Sequence, residues 1–141
     1  MRSPYLCRDY ADAADGALRR DGDWASVGDL GRFDGDVLVV FGRPGHIVTG
    51  GATVSLAEVE AALAPAARAP FAALGLPHPT LGTVLTIVVT DPGDGERLRE
   101  AARRLPAAQR PRLWYQRPTL PLTTTGKLDR KALADSVGPP R

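Results

Sequence analysis

Cysteine is almost missing from this 141-residue sequence: Cys7 stands alone, with no second cysteine or histidine near it at metal-ligand spacing. An internal disulfide and a structural zinc are therefore not expected. Long hydrophobic runs are missing too. The longest apolar stretches, such as Val37-Leu38-Val39-Val40-Phe41, fall far short of the roughly 20 residues a spanning helix needs, so no membrane span is expected. The first residues show no basic segment followed by an apolar one, which leaves no secretory signal and makes a reducing cytoplasm the expected location. Lysine is scarce, since only Lys127 and Lys131 are lysines among 18 basic residues. The arginines are scattered and mostly interleaved with the 16 acids. Although the pI is near 9.0, no basic block marks a nucleic-acid surface, and no nucleic-acid role is expected. What is present suits a folded chain: 43% hydrophobic and 24% charged residues can build one domain, or one domain plus a piece of another.

Between Pro4 and Gly35 apolar periodicity is weak, with Tyr5, Tyr10 and Trp24 isolated among Asp, Gly and Arg. This stretch has little with which to make a core. A strand is expected around Trp24 to Val27, then a turn at Asp34-Gly35-Asp36 and a second strand at Val37 to Phe41, a hairpin over about 24–41. Gly42-Arg43-Pro44-Gly45 interrupts the pattern, because proline fixes its own φ, restricts Arg43 and removes a donor. A domain boundary is placed there.

Beyond it, Ile47-Val48-Thr49 reads as a strand ending in Gly50-Gly51. Ser55-Leu56-Ala57-Glu58 is a capping box opening a helix over 56–64, with Leu56, Val59, Ala62 and Leu63 on its buried face. Phe71 to Leu76 and Thr83 to Val89 read as antiparallel strands joined by the turn-rich 77–82 segment. Asp94 is placed as the cap of a second helix running to about Leu105, and Leu113 to Gln116 as a further strand. A last helix is expected over about Asp129 to Ser136, with Asp129 as N-cap and Leu128 stapled to Leu133. His46 and His78 read as loop residues. The order is α+β: a small mixed or antiparallel sheet covered by about three helices on one face, preceded by a β-hairpin strip.

Two clusters stand apart from the packing pattern. One is Gly28-Asp29-Leu30-Gly31-Arg32 with Gly42-Arg43 and Gly50-Gly51. The other is Pro121-Leu122-Thr123-Thr124-Thr125-Gly126-Lys127-Leu128-Asp129-Arg130, in which three hydroxyls and a glycine lead into a lysine at the mouth of a helix. Such a loop can present one ammonium as a point charge to phosphate or carboxylate oxygens. Each feature also has a plain structural reading. Lys127 can be a solvated first-turn residue, Asp29 an Asx-turn residue, Arg43 a surface ion-pair partner and Gly50-Gly51 a strand terminus.

Taken together, these segments resemble the carboxy-terminal part of the adenylate-forming, AMP-binding superfamily of acyl-CoA synthetases, amino-acid adenylation domains and luciferases. The 28–32 segment looks like that family's GDLGR element, Gly42-Arg43 through Glu58-Val59-Glu60 like its hinge motif, and 121–130 like its PxTxxGKxxR pattern. The stretch from Ile47 to Glu60 looks more like the acid:CoA ligase branch. The resemblance implies a ligase domain organised as 1–42 (the end of an amino-terminal adenylation domain), 43–46 (hinge), 47–137 (the carboxy-terminal lid domain) and 138–141 (tail). It implies formation of an acyl-adenylate from ATP and a carboxylic acid, then displacement of AMP by coenzyme A, with fatty acid metabolism as one setting. Lys127 would be the adenylation lysine, Asp29 and Arg43 would meet the nucleotide, and Gly50 and Gly51 would let backbone approach coenzyme A. Arg43, Pro44 and Gly45 would form the hinge. Mg2+ is implied with ligands outside this sequence, and no metal site is expected within it.

The sequence departs from the family in two places. Gly45 stands two residues after the hinge arginine, where the family usually has Asp or Lys, and the Ser/Thr/Gly-rich phosphate loop and acyl pocket are absent from these residues. The expectation is a lid domain that is incomplete as a catalyst alone and partners an amino-terminal adenylation domain in cis or as a separate chain. The alternative is a non-catalytic binding or regulatory module, or the remnant of a disrupted ligase gene.

Overall fold

In the computed structural model, which describes residues 2–5, 18–26 and 28–138, Met1–Pro44 and Gly45–Arg141 form two units. Cys7, Tyr10, Val27 and the 139–141 part of the expected tail lie outside the described residues.

The first unit contains two short hairpins. Strand β1 (Arg19–Asp21) pairs with β2 (Trp24–Ser26), and β3 (Leu30–Asp34) pairs with β4 (Val37–Gly42), both antiparallel. The hairpin expected over 24–41 thus forms with a different first arm. The two-residue turn Gly35-Asp36 closes Asp34 onto Val37, so the residues just before the turn become the partner strand, and Trp24 turns back on β1. One face of β3–β4 carries Phe33 opposite Leu38 and Gly31 opposite Val40. It is apolar and uncovered, with Phe33 74% exposed. Only Ala25 is buried among the described residues of this unit.

The second unit has a real core. Hairpin β5 (His46–Thr49) and β6 (Ala52–Ser55) leads straight into α1 (Leu56–Leu63). Strands β7 (Phe71–His78) and β8 (Gly82–Val89) pair antiparallel, α2 (Asp94–Ala102) crosses over, and β9 (Leu113–Gln116) returns parallel to β8. The sheet order is β7-β8-β9, and α3 (Arg130–Val137) ends the unit. Two of the three expected caps form: Ser55 accepts from the Glu58 amide at 3.3 Å and Asp129 Oδ1 from the Ala132 amide at 2.9 Å. The Glu58 carboxylate, expected to reach back to the cap, accepts instead from Gln109 Nε2 at 3.4 Å. Leu56, Val59 and Leu63 are buried, whereas Ala62 falls on the exposed flank.

The helices cover both faces of the sheet rather than one. Alternate residues of β8 separate cleanly. Leu85, Ile87 and Val89 join α1 residues Val59 and Leu63 and α2 residue Leu98, while Val84 and Val88 join Leu133 of α3. The run from Val84 to Val89 carries the signal for this, because a strand buried on both faces reads as continuously apolar rather than alternating. Burying Leu133, which is 0% exposed, stabilises α3 by roughly 1.5–3 kcal/mol, with Leu128 packed against the same cluster.

Other expectations shift for local reasons. Helix α2 stops at Ala102, where Arg103 and Arg104 enter a turn. Pro77 continues β7, opposite Thr83, so the connection shrinks to residues 79–81. Both histidines sit in strands rather than loops: His46 pairs with Ser55, and His78 ends β7 with Nδ1 accepting from the amides of Thr80 and Leu81.

Candidate functional site

Between β9 and α3, residues 121–129 close into a small loop whose backbone is tied at several points. Leu122 bridges Leu128, the Asp129 amide donates to the Pro121 carbonyl at 2.9 Å, and the Thr123 amide donates to the Lys127 carbonyl at 2.7 Å. Thr123 Oγ1 accepts from the Lys127 amide at 3.2 Å and lies 3.0 Å from Thr125 Oγ1. Gly126, at φ +77°, makes the tight turn that precedes the lysine. The Lys127 side chain is exposed, and among the described residues no ion pair holds its ammonium. The amides of Thr123, Gly126, Lys127 and Asp129 are engaged within the loop while the charge itself is left available.

The loop leads into a network that sequence reasoning missed. Arg130 Nη2 meets both Glu60 oxygens at 2.7 and 2.8 Å, and its Nε donates to the Ala73 carbonyl at 3.1 Å. Glu60 Oε1 also accepts from the Ala73 amide at 2.8 Å. This fork, with one nitrogen on both carboxylate oxygens and Nε on a carbonyl, is charge-assisted and so stronger and more directional than a single neutral hydrogen bond. Seventy residues separate the two side chains, so nothing in their local sequence signals the pairing.

In the first unit, the structure brings Asp29 and Arg43 together. Arg43 Nε lies 3.0 Å from Asp29 Oδ1, with the side chains 42% and 45% exposed. A pair this open contributes at most about 1 kcal/mol, so either group can exchange its partner for a ligand at low cost. A depression of about 320 Å³ beside Asp29 is lined by Ala25, Ser26, Leu30, Gly31, Leu38 and Val40.

Gly50 and Gly51 are the two central residues of the β5–β6 turn, at φ +55° and +83°. A two-residue hairpin loop with positive φ at both positions is the type I′ arrangement, which favours glycine. Their presence thus has a backbone cause whatever else they do. Gly50 also lines a cleft of about 220 Å³ with Thr49, Ala52, Leu81, Arg110 and Arg112. Two arginines and no acidic residue are among its lining residues, a juxtaposition that only the fold produces.

Asp94, expected to cap α2, is the helix's first residue, and its buried carboxylate serves another segment. Oδ2 accepts from the amides of Arg68 and Ala69, each at 2.9 Å, and Arg97 Nη2 lies 3.2 Å from Oδ1. The Arg68 amide holds its pKa below the ordinary carboxylate value, opposed by burial and aided by the Ala69 amide and the Arg97 charge. This is a structural carboxylate. Among the described residues no group of three His, Cys, Asp or Glu side chains is placed to hold a metal ion, and no helix is long and apolar enough to cross a membrane.

No protein-family model matches the chain. The 2-hydroxy-7-methoxy-5-methyl-1-naphthoate–CoA ligase of Streptomyces carzinostaticus is 33% identical over 149 residues, taking in 97% of this chain and 26% of the relative. The salicylyl-CoA synthase / salicylate adenylyltransferase of a Streptomyces species is 37% identical over 152 residues, 96% of this chain and 27% of the relative. Among solved structures, the amide bond synthetase McbA from Marinactinospora thermotolerans matches 96% of this chain and 29% of its own, with a TM-score of 0.75 and 27% identity. The chain spans about a quarter of the length of the curated relatives it matches.

Proposed function

The chain has the fold and the motifs of the carboxy-terminal part of adenylate-forming enzymes, and from that premise we propose that it is the lid domain of an ATP-dependent acid:CoA ligase. The observation that carries this reading is the Lys127 loop, a hydrogen-bonded frame around an ammonium that no ion pair holds among the described residues. In the first step a carboxylate oxygen attacks the α-phosphorus of ATP and pyrophosphate leaves. Negative charge builds on the oxygens in transit, and Lys127 stabilises it there. A preorganised donor of this kind contributes on the order of 10²–10³ in rate. In the second step a thiolate attacks the acyl carbon and AMP leaves.

Asp29 and Arg43, holding one another at low cost, exchange that contact for the ribose hydroxyls and neighbouring nucleotide oxygens. Residues 43–46 act as the hinge between the two steps. The Gly50-Gly51 turn lets coenzyme A pass close to backbone, and the cleft bordered by Arg110 and Arg112 offers positive charge to its phosphates. Mg2+ comes with the nucleotide, its remaining ligands supplied from outside this chain. The partner is an amino-terminal adenylation domain, and the uncovered face of Phe33, Leu38 and Val40 is the surface it covers, since folded proteins rarely leave such a patch to water. That domain holds the acyl pocket. Naphthoate and salicylate in the relatives' names put aromatic carboxylic acids first in a substrate panel. We place the reaction in the cytoplasm, where ATP and coenzyme A are supplied.

The test is a chimera in which this chain replaces the matching quarter of the naphthoate–CoA ligase. ATP–pyrophosphate exchange with naphthoate should appear and fall on the order of 10²–10³-fold in Lys127→Ala. Exchange indifferent to Lys127→Ala removes the assigned role, and a chimera that binds nucleotide without exchange favours the non-catalytic module.

A further inference from the structure

Strand β7 pairs with β8 on one side only, which makes it an edge of the sheet. Ala73 lies on that edge and is fully buried, so its outward amide and carbonyl need partners that water cannot supply. The Glu60–Arg130 fork supplies both, with Glu60 Oε1 accepting from the amide and Arg130 Nε donating to the carbonyl. Two half-buried side chains take the place of a missing neighbouring strand. They also join three elements at one point: α1 through Glu60, β7 through Ala73, and the first residue of α3 through Arg130.

The far end of the Lys127 loop is fixed to that same point. Leu128 bridges Leu122, Asp129 bonds Pro121, and Arg130 is the next residue. Leu133 packs α3 onto the sheet and Asp129 caps it, but an apolar anchor is non-directional and leaves rotation of the first turn free. A planar guanidinium meeting one carboxylate at both oxygens and a carbonyl through Nε does not. We propose that Glu60 and Arg130 are positioning residues for Lys127: their fork on the Ala73 edge sets where the loop, and with it the ammonium, is held. The functional half of this inference rests on the adenylation role of Lys127.

Hydrogen exchange followed by NMR on the full 141-residue chain tests it without requiring activity. Arg130→Lys keeps the charge but loses the fork, and Glu60→Gln is the milder variant should the first fold poorly. The amides of Thr123, Gly126, Lys127 and Asp129, each bonded within the loop, should exchange about tenfold faster, the size expected from losing one or two net hydrogen bonds. Amides of β8 should move only as far as the urea-measured global stability moves. Loop amides at the wild-type rate, or loop and β8 amides accelerated by one common factor, would overturn the proposal. In the chimera, Arg130→Lys should lower kcat of pyrophosphate exchange and leave KM for ATP within about twofold, since misplacing a group costs turnover more than ground-state binding. An equal rise in KM would count against positioning. If Lys127→Ala alone leaves turnover intact while the exchange result stands, the adenylation role has failed and the fork's hold on the loop has not.

Discussion

Replacing Gly75 with alanine should loosen the docking of the β5–β6 hairpin on the sheet. Gly75 lies in β7 opposite Leu85, and a Cβ built there comes 2.6 Å from Ile47 Cγ2 and 2.6 Å from Thr83 Cγ2. Comfortable carbon–carbon contact is about 3.5–4.0 Å. Both neighbours are branch methyls on stiff β-branched side chains, so relief requires a χ1 change or movement of a strand. Such overpacking costs about 1–3 kcal/mol. Against it stands a gain of roughly 0.4–1 kcal/mol, because alanine reduces the freedom of the unfolded chain. The clash wins, leaving a net loss of about 1–2 kcal/mol, or a fall in Tm of roughly 5–15 °C for a unit this size. Urea unfolding at constant m, with thermal circular dichroism beside it, reads the effect. Thr83→Ser removes one of the two offending methyls, so the Gly75→Ala cost measured in that background should shrink by about 0.5 kcal/mol or more. A Gly75→Ala chain as stable as the parent, or a cycle with coupling below about 0.3 kcal/mol, would refute the reasoning.

Acid should act through Asp94. The Arg68 amide, aided by the Ala69 amide and the Arg97 charge against the effect of burial, places its folded pKa below the unfolded one, so its stabilisation is complete above the unfolded value of ~3.9 and is lost as pH falls through the folded value. Between pH 5 and 2 the urea midpoint should therefore fall more in the parent than in Asp94→Asn; equal slopes would discount the carboxylate. At the β5–β6 turn, Gly51→Ala should cost about 1–2 kcal/mol from φ alone, as no atom lies within 4 Å of the added carbon. Gly51→Asn should cost less in the same thermal melt, because asparagine tolerates that region. Lys127→Ala should leave stability within about 0.5 kcal/mol, the range for an exposed side chain without partners, which separates its chemistry from folding in any activity assay.

Short-range features of this protein were legible without coordinates. Ser55 and Asp129 cap their helices because the donor each meets lies three residues on, and β9 keeps the Leu113–Gln116 bounds read from its apolar run. Three hydroxyls, a glycine and a rare lysine marked the 121–130 loop, and it closes within itself. The misses share a different character. Asp94 looked like a cap for its own helix, but its carboxylate turned to the Arg68 and Ala69 amides, 26 and 25 residues away. Trp24 looked like an arm of the long hairpin until the Gly35-Asp36 turn gave that place to Leu30–Asp34.

What the sequence determined by itself were the elements, their caps and the loop that carries Lys127, because each depends on hydrogen bonds and apolar spacing within a few residues. Tertiary structure alone decided which edge amide Glu60 would satisfy, which face α3 would cover and which arginines would border Gly50. Those choices follow from the groups left unpaired once the strands have assembled, and a buried edge such as Ala73 recruits whatever charged side chain the packing brings within reach, however distant in the chain.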